Sequence, residues 1–250
     1  MADSPKPIVG ATPEGAQDRQ QAAAAVRDMF TSIAPRYDLL NHLLSFNIDR
    51  LWWRRAARTF RHILQRPGAR ALDLCCGTGD MAFALHRASG KQTEIFGADF
   101  SHAMLVRAVQ KSRNTSLRWL EADALRLPVP DASFDLVTSA FGFRNLADYD
   151  AGLREIFRVL RPGGEVGILD FGEPAGFIGR LYRLYFKRVL PAVGTVISGV
   201  KGPYAYLPAS VERFPSPGDM LDRMRSAGFS DVSWTPYTFG IAGLYRGRKS

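Results

Sequence analysis

From Gly68 onward the chain repeats one pattern, a short apolar run, a turn, and then an amphipathic stretch with helical spacing. "ARALDL" runs into a glycine turn and a helix from about Gly79, and "EIFGADF" leads to a helix from Ser101. "LRWLEAD" and "FDLVTSAF" precede a helix from Asp148, and "EVGILDF" follows it. Strands separated by helices need crossover connections, so this alternation predicts a parallel, doubly wound α/β sheet. "PGDMLDRMRSAGF" reads as a helix ended by Gly228. "SDVSWTPYTFGIAGLYRGRK" reads as a β-hairpin that closes the seven-stranded sheet with an antiparallel pair. No internal repeat is found.

Before this region, "DRQQAAAAVRDMF", "LLNHLLS" and "DRLWWRRAARTFRHIL" carry helix formers with amphipathic spacing, which predicts a helical N-terminal cap over residues 18–66. Residues 1–17 are rich in Pro, Gly, Ala and small polar residues and are expected to be disordered or loosely attached. The main domain then spans 67–250, with a basic and aromatic helical insertion at about 176–212. A chain of 250 residues with 46% hydrophobic content supports one large domain and is too short for two full enzymes. Its longest uncharged apolar stretch, Val189 to Val200, contains Pro191 and two glycines and falls short of the roughly 20 residues that span a bilayer. With no export-type N-terminus either, a cytoplasmic location is expected. The two cysteines, Cys75 and Cys76, are adjacent, and His42, His62, His86 and His102 form no ligand spacing with them, so neither a disulfide framework nor a metal site is expected. A net charge of +9 favours an anionic partner.

The turn Gly77-Thr78-Gly79 follows a buried strand and opens a helix, where backbone can approach a ligand and N–H groups face it. With Ala82 the spacing also fits a dinucleotide fingerprint, which keeps an NAD-dependent oxidoreductase as an alternative. Asp73 argues against that, because an acid four residues before Gly77 would repel a pyrophosphate and welcome a cation. Asp99, with Phe100, ends the second strand where an acid suits two ribose hydroxyls. Asp123, with Ala124, follows the third strand, placed to accept from an adenine amino group. Adenine, ribose and a cationic tail together describe S-adenosylmethionine (SAM).

The motifs "ALDLCCGTGD", "GADFS", "EADALRLPVPDASFDLV" and "RVLRPGGEV" resemble, in this order, those of class I SAM-dependent methyltransferases. "YDLLNHLLSFNIDRLWWR" and "AFGFRNLADYDAGLREIFRVLRPGG" are similar to signatures of the ubiquinone/menaquinone biosynthesis C-methyltransferases, a resemblance that covers residue 26 to the C-terminus. It implies a Rossmann-like sheet, SAM as methyl donor and a prenylated quinol as substrate. "CCGT" and "PYTFGIA" look more like the demethylmenaquinone enzymes, so a naphthoquinol is expected, with a methoxy-polyprenyl-benzoquinol as the alternative. Leu40, Asp49 and Ala140 depart from the family's Met, His and Ser, and Asp49 and Ala140 are therefore set outside the expected site.

Methyl transfer to a ring carbon needs an in-line arrangement and a quinol whose hydroxyl is losing its proton. Arg144 and Asn145 follow the fourth strand at the sheet's carboxyl edge, and Arg144 is expected to stabilise the phenolate. The competing reading pairs Arg144 with a nearby acid such as Asp148. Tyr37, with Asp38, is expected to close over the donor, against simple helix packing. The insertion interleaves Arg180, Arg183, Lys187 and Arg188 with Phe177, Tyr182, Tyr185 and Phe186. This fits an amphipathic helix on an anionic membrane at the cell's inner face, a lid with a solvated basic face, or an RNA-binding surface. The prenylated substrate favours the membrane and nucleic acid is not expected as a partner. A homodimer is left open.

Overall fold

The computed structural model describes residues 9–13, 15–38, 45, 47–90, 92–113, 115–172, 174, 176, 179–180, 184–185, 188 and 203–250. The described helices are α1 (Arg19–Ile33), α2 (Ile48–Thr59), α3 (Arg61–Leu64), α4 (Asp80–Ala88), α5 (His102–Lys111), α6 (Tyr149–Val159), α7 (Pro203–Arg213) and α8 (Pro217–Ser226). The strands are β1 (Arg70–Leu74), β2 (Glu94–Asp99), β3 (Arg118–Glu121), β4 (Phe134–Ala140), β5 (Leu160–Phe171), β6 (Phe229–Tyr237) and β7 (Ala242–Lys249).

They form one seven-stranded sheet in the order β3-β2-β1-β4-β5-β7-β6. The first five run parallel, and β7 lies antiparallel between β5 and β6. The alternation read from the sequence therefore yields the mostly parallel seven-stranded sheet with an antiparallel last pair that was expected. The chain winds outward from β1 through β2 to β3, then returns to β4 on the other side of β1. That reversal opens a crevice at the carboxyl ends of β1 and β4, where open α/β sheets bind ligands.

Strand alternation divides the core in two. Leu72 and Leu74 of β1 join Val137, Val166 and Ile168 under α6 and α8. Ala71, Leu136 and Leu169 face the opposite layer, built from α2, α3 and α4. On α6 the buried residues Tyr149, Leu153, Ile156 and Val159 follow helical spacing, and Asp148 caps the helix by accepting the Ala151 amide at 3.0 Å. On α2 the buried face is Asp49, Trp52, Trp53, Ala56 and Ala57, while Arg50, Leu51, Arg54, Arg55 and Arg58 are exposed. Burying each Trp contributes on the order of 2 kcal/mol or more, enough to hold this short helix on the sheet.

Residues 9–12 correct the expectation of a loose tail. The Ala11 amide donates to the Leu146 carbonyl at 2.8 Å, that of Val9 to Ala147 at 3.3 Å, and Arg213 donates to the Thr12 carbonyl. Ala11 is buried. The segment gains order by satisfying carbonyls of the connection after β4, which its composition does not reveal. Apart from Ser45, the expected helix "LLNHLLS" lies outside the described residues, as does most of the 176–212 insertion, α7 being the principal described part of the latter.

Candidate active site

A cavity of about 300 Å³ opens at the crevice between β1 and β4. Its floor is the turn between β1 and α4, where Cys75 (φ 54°), Gly77 (φ 53°) and Gly79 (φ 90°) all adopt left-handed backbone. Such conformations cost an L-residue energy and suit glycine. At Gly79 a Cβ would also lie 2.4 Å from the Trp119 ring. Cys75, a non-glycine in that region, is held by close packing, since a Cβ on Gly142 would lie 2.4 Å from the Cys75 Cβ. Burial and the nearby Asp99 and Asp73 push both cysteine thiols well above their ordinary range. Both are half-buried, line the cavity and stay as neutral thiols, which makes them poor nucleophiles. Among the described residues no group of three or more His, Cys, Asp or Glu is placed to hold a metal ion.

Asp73 is fully buried and lines the cavity. Its Oδ1 accepts the Thr138 hydroxyl at 3.1 Å, whereas Oδ2 is buried without a partner. Desolvation raises its carboxyl to about 8. A buried carboxyl with an unpartnered oxygen facing a cavity fits a cationic ligand group, which would favour its ionised form. Asp99 at the end of β2 accepts the amides of Gly77 (2.8 Å) and Ser101 (2.9 Å), and its burial raises it to about 6. The amides of Gly77 and Gly79 are thus taken up internally, the second by the Cys76 carbonyl at 2.8 Å, rather than facing a ligand as expected. Asp123 is exposed at the rim, accepting the Leu125 amide at 2.9 Å, beside buried Ala124.

The Thr78 hydroxyl donates to Asp38 at 2.5 Å. Lys111 on α5 donates to Asp38 (3.0 Å), Thr78 (3.2 Å) and Asp80 (2.8 Å). This cluster fastens the segment after α1 to the glycine turn and sets Tyr37 above it. Its Cε1 lies 3.8 Å from where a Cβ on Gly77 would stand. Sequence reading noted Asp38 and missed Lys111, whose solitary place at the end of an ordinary amphipathic helix gave no signal.

Arg144, in the turn after β4, is buried and pairs with Asp170 of β5, not with Asp148. Its Nη1 donates to Asp170 at 2.9 Å and also to the Phe141 carbonyl, and its backbone amide donates to Asp170 at 3.1 Å. Asp148 instead pairs with Arg19 of α1. Asn145 donates to the Phe141 carbonyl at 3.4 Å and accepts from the Tyr206 hydroxyl at 3.2 Å. Beyond this pair the wall becomes aromatic. Phe141 and Phe171 pack with ring centres 4.6 Å apart, and Trp52 meets them at 5.7 and 6.3 Å. The Trp52 indole donates to Thr238 at 2.8 Å, which joins α2 to the turn between β6 and β7.

Tyr37, Asp73, Gly77, Thr78, Asp99, Phe100, Asp123, Ala124, Arg144 and Asn145 all line the cavity; Gly79 shapes the turn without lining it. Asp49 and Ala140, set outside the site on sequence grounds, also line it. A signal for Asp49 was present, because it shares helical spacing with Trp52, Trp53 and Ala56, a lone acid on an otherwise apolar face.

The sequence profile of the ubiE/COQ5 methyltransferase family matches residues 16–249. The chain belongs to this family. It is 51% identical over 235 residues to a demethylmenaquinone methyltransferase of Deinococcus radiodurans, covering 93% of this chain and 95% of the relative. It is 52% identical over 223 residues to a demethylmenaquinone methyltransferase of Thermus thermophilus, covering 88% and 99%. Among solved structures, a SAM-dependent methyltransferase of Thermotoga maritima matches with a TM-score of 0.63 at 21% identity, over 89% of this chain and 99% of that one. The [4+2]-cyclase SpnF matches with 0.66 at 18%, over 98% of each, so the fold alone does not define a reaction. The family makes the chain a methyltransferase, and its methyl donor is SAM.

Proposed function

We propose that the protein methylates the unsubstituted ring carbon of a prenylated naphthoquinol, converting demethylmenaquinol to menaquinol. The observation that carries this reading is one cavity with two unlike ends, carboxylates around the glycine turn and aromatic rings around Arg144. The names of the Deinococcus and Thermus relatives support the substrate. When bound, SAM supplies an electrophilic methyl carbon. Asp73 would hold its cationic amino-acid end, Asp99 and Phe100 its ribose, and Asp123 and Ala124 its adenine, with Gly77, Thr78 and Gly79 shaping the turn beneath. Trp52, Phe141 and Phe171 would receive the flat quinol ring and keep water from it. Arg144 stays protonated and is neutralised by Asp170, so it would orient the quinol oxygen as a hydrogen-bond donor rather than take its proton. Asn145 would help position that oxygen, and Tyr37 would close the donor end.

Incubation with isotope-labelled SAM and each demethylated quinol tests this. Label is expected in the naphthoquinol. Label in the benzoquinol alone would move the substrate to the alternative, and label in neither would sink the quinol reading.

The reading includes peripheral contact with an anionic bilayer at the inner membrane face. Among the described residues no helix is long and apolar enough to cross a membrane. Phe239, left-handed at φ 59° and 77% exposed, sits between the cavity-lining Thr238 and Ile241. Leu51 is exposed beside Trp52, among the exposed Arg50, Arg54 and Arg58. Exposed apolar side chains next in sequence to cavity-lining residues, with arginines flanking Leu51, suit a lipid interface. Phe239→Asp should lower co-flotation with phosphatidylglycerol vesicles several-fold; unchanged flotation would remove Phe239 from the contact.

A further inference from the structure

We propose that Lys111 is a positioning residue for the methyl donor, a latch that holds the segment after α1 over the glycine turn and so sets how fast SAM leaves. The donor end is lined by Val26 and Phe30 of α1 and Tyr37 just after it, and by Gly77, Thr78 and Asp80 of the glycine turn and α4. A donor seated between two such walls is released as they part.

An apolar contact and a charged one hold the walls together. Ile33, Ala34 and Tyr37 pack with Met104 of α5, and the Thr31 and Ser101 hydroxyls lie 3.2 Å apart. The charged contact is Lys111, the last residue of α5, which donates to Asp38 at 3.0 Å on the α1 side and to Asp80 at 2.8 Å on the turn side. Each helix end suits its charge. Asp80 opens α4, where the helix dipole favours an anion, and Lys111 closes α5, where it favours a cation. The Phe83 ring of α4 is centred 5.6 Å from the Lys111 Nζ.

The lysine matters because of what it keeps together. The Thr78 hydroxyl donates to Asp38 at 2.5 Å, and Oδ2 of Asp80 stands 3.5 Å from the same hydroxyl oxygen. A hydroxyl carries one proton, so it serves one carboxylate and leaves the other beside a like charge. With Lys111 in place the two carboxylates share a cation, and without it they repel each other across Thr78. Removing the charge therefore turns attraction between the walls into repulsion. Lys111 stands outside the cavity lining, so its effect reaches SAM through the wall it holds. The side chains of Lys111, Asp38 and Asp80 are 30, 33 and 22% exposed, so dissolved salt reaches them and screens whichever force acts.

Surface plasmon resonance of SAM on the immobilised full chain tests the latch, and because it needs SAM alone it stands apart from the quinol reading. Lys111→Met keeps the side-chain length and removes the charge, and it should release SAM about tenfold faster than the parent, equivalent to about 1.4 kcal/mol, whereas Lys111→Arg should stay within about threefold. Adding Asp38→Asn to K111M removes the repulsion and should slow release back toward the parent. Relative to that double variant, which carries neither force, raising salt from about 0.05 to about 0.5 M should speed release from the parent and slow it from K111M. A loosened fold without a latch would not give opposite signs. The proposal fails if K111M releases SAM within about twofold of the parent, if salt moves the parent and K111M in the same direction relative to the double variant, or if the double variant releases SAM as fast as K111M. Asp38→Asn alone keeps the lysine and covers the case in which K111M does not fold: it should release SAM faster than the parent and respond less to salt, and a parent-like rate and salt response there would equally overturn the latch.

Discussion

The two ends of the cavity are built by different means. The glycine-turn end comes from the carboxyl ends of three neighbouring strands, with Asp73 in β1 and Gly77 just after it, Asp99 ending β2 and Asp123 just after β3. The aromatic end is assembled across the chain, as in the 2.8 Å bond from Trp52 to Thr238, which links positions 186 residues apart. One end gathers the termini of neighbouring strands. The other depends on tertiary packing that brings α2, β4, β5 and the last hairpin together. The difference predicts that damage at the seam should reach the whole fold, while damage at either end should remain local to its ligand.

The seam is Asp170, fully buried, which accepts from the Arg144 amide, the Arg144 guanidinium and the Phe171 amide at 2.9 Å. Asp170→Ala would leave a buried guanidinium unpaired, which typically costs about 3–5 kcal/mol. Urea unfolding should show that loss, and SAM and quinol affinities should fall together. A loss below about 1 kcal/mol would mean that the two ends are supported independently.

A smaller effect should separate the donor end. Asp73 titrates near 8 because burial destabilises its charged form. Near neutrality the empty site therefore holds it protonated, and a cationic ligand must drive off that proton to gain the ion pair. The sign follows: affinity for SAM rises with pH below about 8, by up to roughly tenfold from about pH 6 to about pH 7. Asp73→Asn should bind weakly and with a flat profile over that window. A parent profile that is equally flat in calorimetry would mean that Asp73 does not meet the cation.

This contrast also decides how much the sequence could reveal. Asp73, Asp99 and Asp123 were readable as residues near the carboxyl ends of β1, β2 and β3, where the strand alternation places a ligand crevice. Arg144 was readable as a site residue, but its partner was not. Asp170 ends β5 twenty-six residues later, and only the pairing of β4 with β5 brings it closer than Asp148, which instead serves as the α6 cap and the partner of Arg19. Asp49 departs from the resembled signature, so the resemblance assigns it no role. Its burial on the face of α2 that carries Trp52 and Trp53 places it in the cavity regardless.

The smallest predicted effect isolates the aromatic end. Val has nearly the shape of Thr and the same branching at Cβ, so Thr238→Val keeps the strain of the left-handed backbone (φ 47°) and removes only the hydroxyl that receives the Trp52 indole. Losing that acceptor should cost about 1 kcal/mol in urea unfolding. Because Trp52 packs on Phe141 and Phe171, the substitution should raise KM for the quinol while leaving SAM affinity and its pH profile unchanged. If SAM affinity fell equally, the two ends would be one cooperative unit, and the hydrogen bond between α2 and the last hairpin would serve the donor site as well.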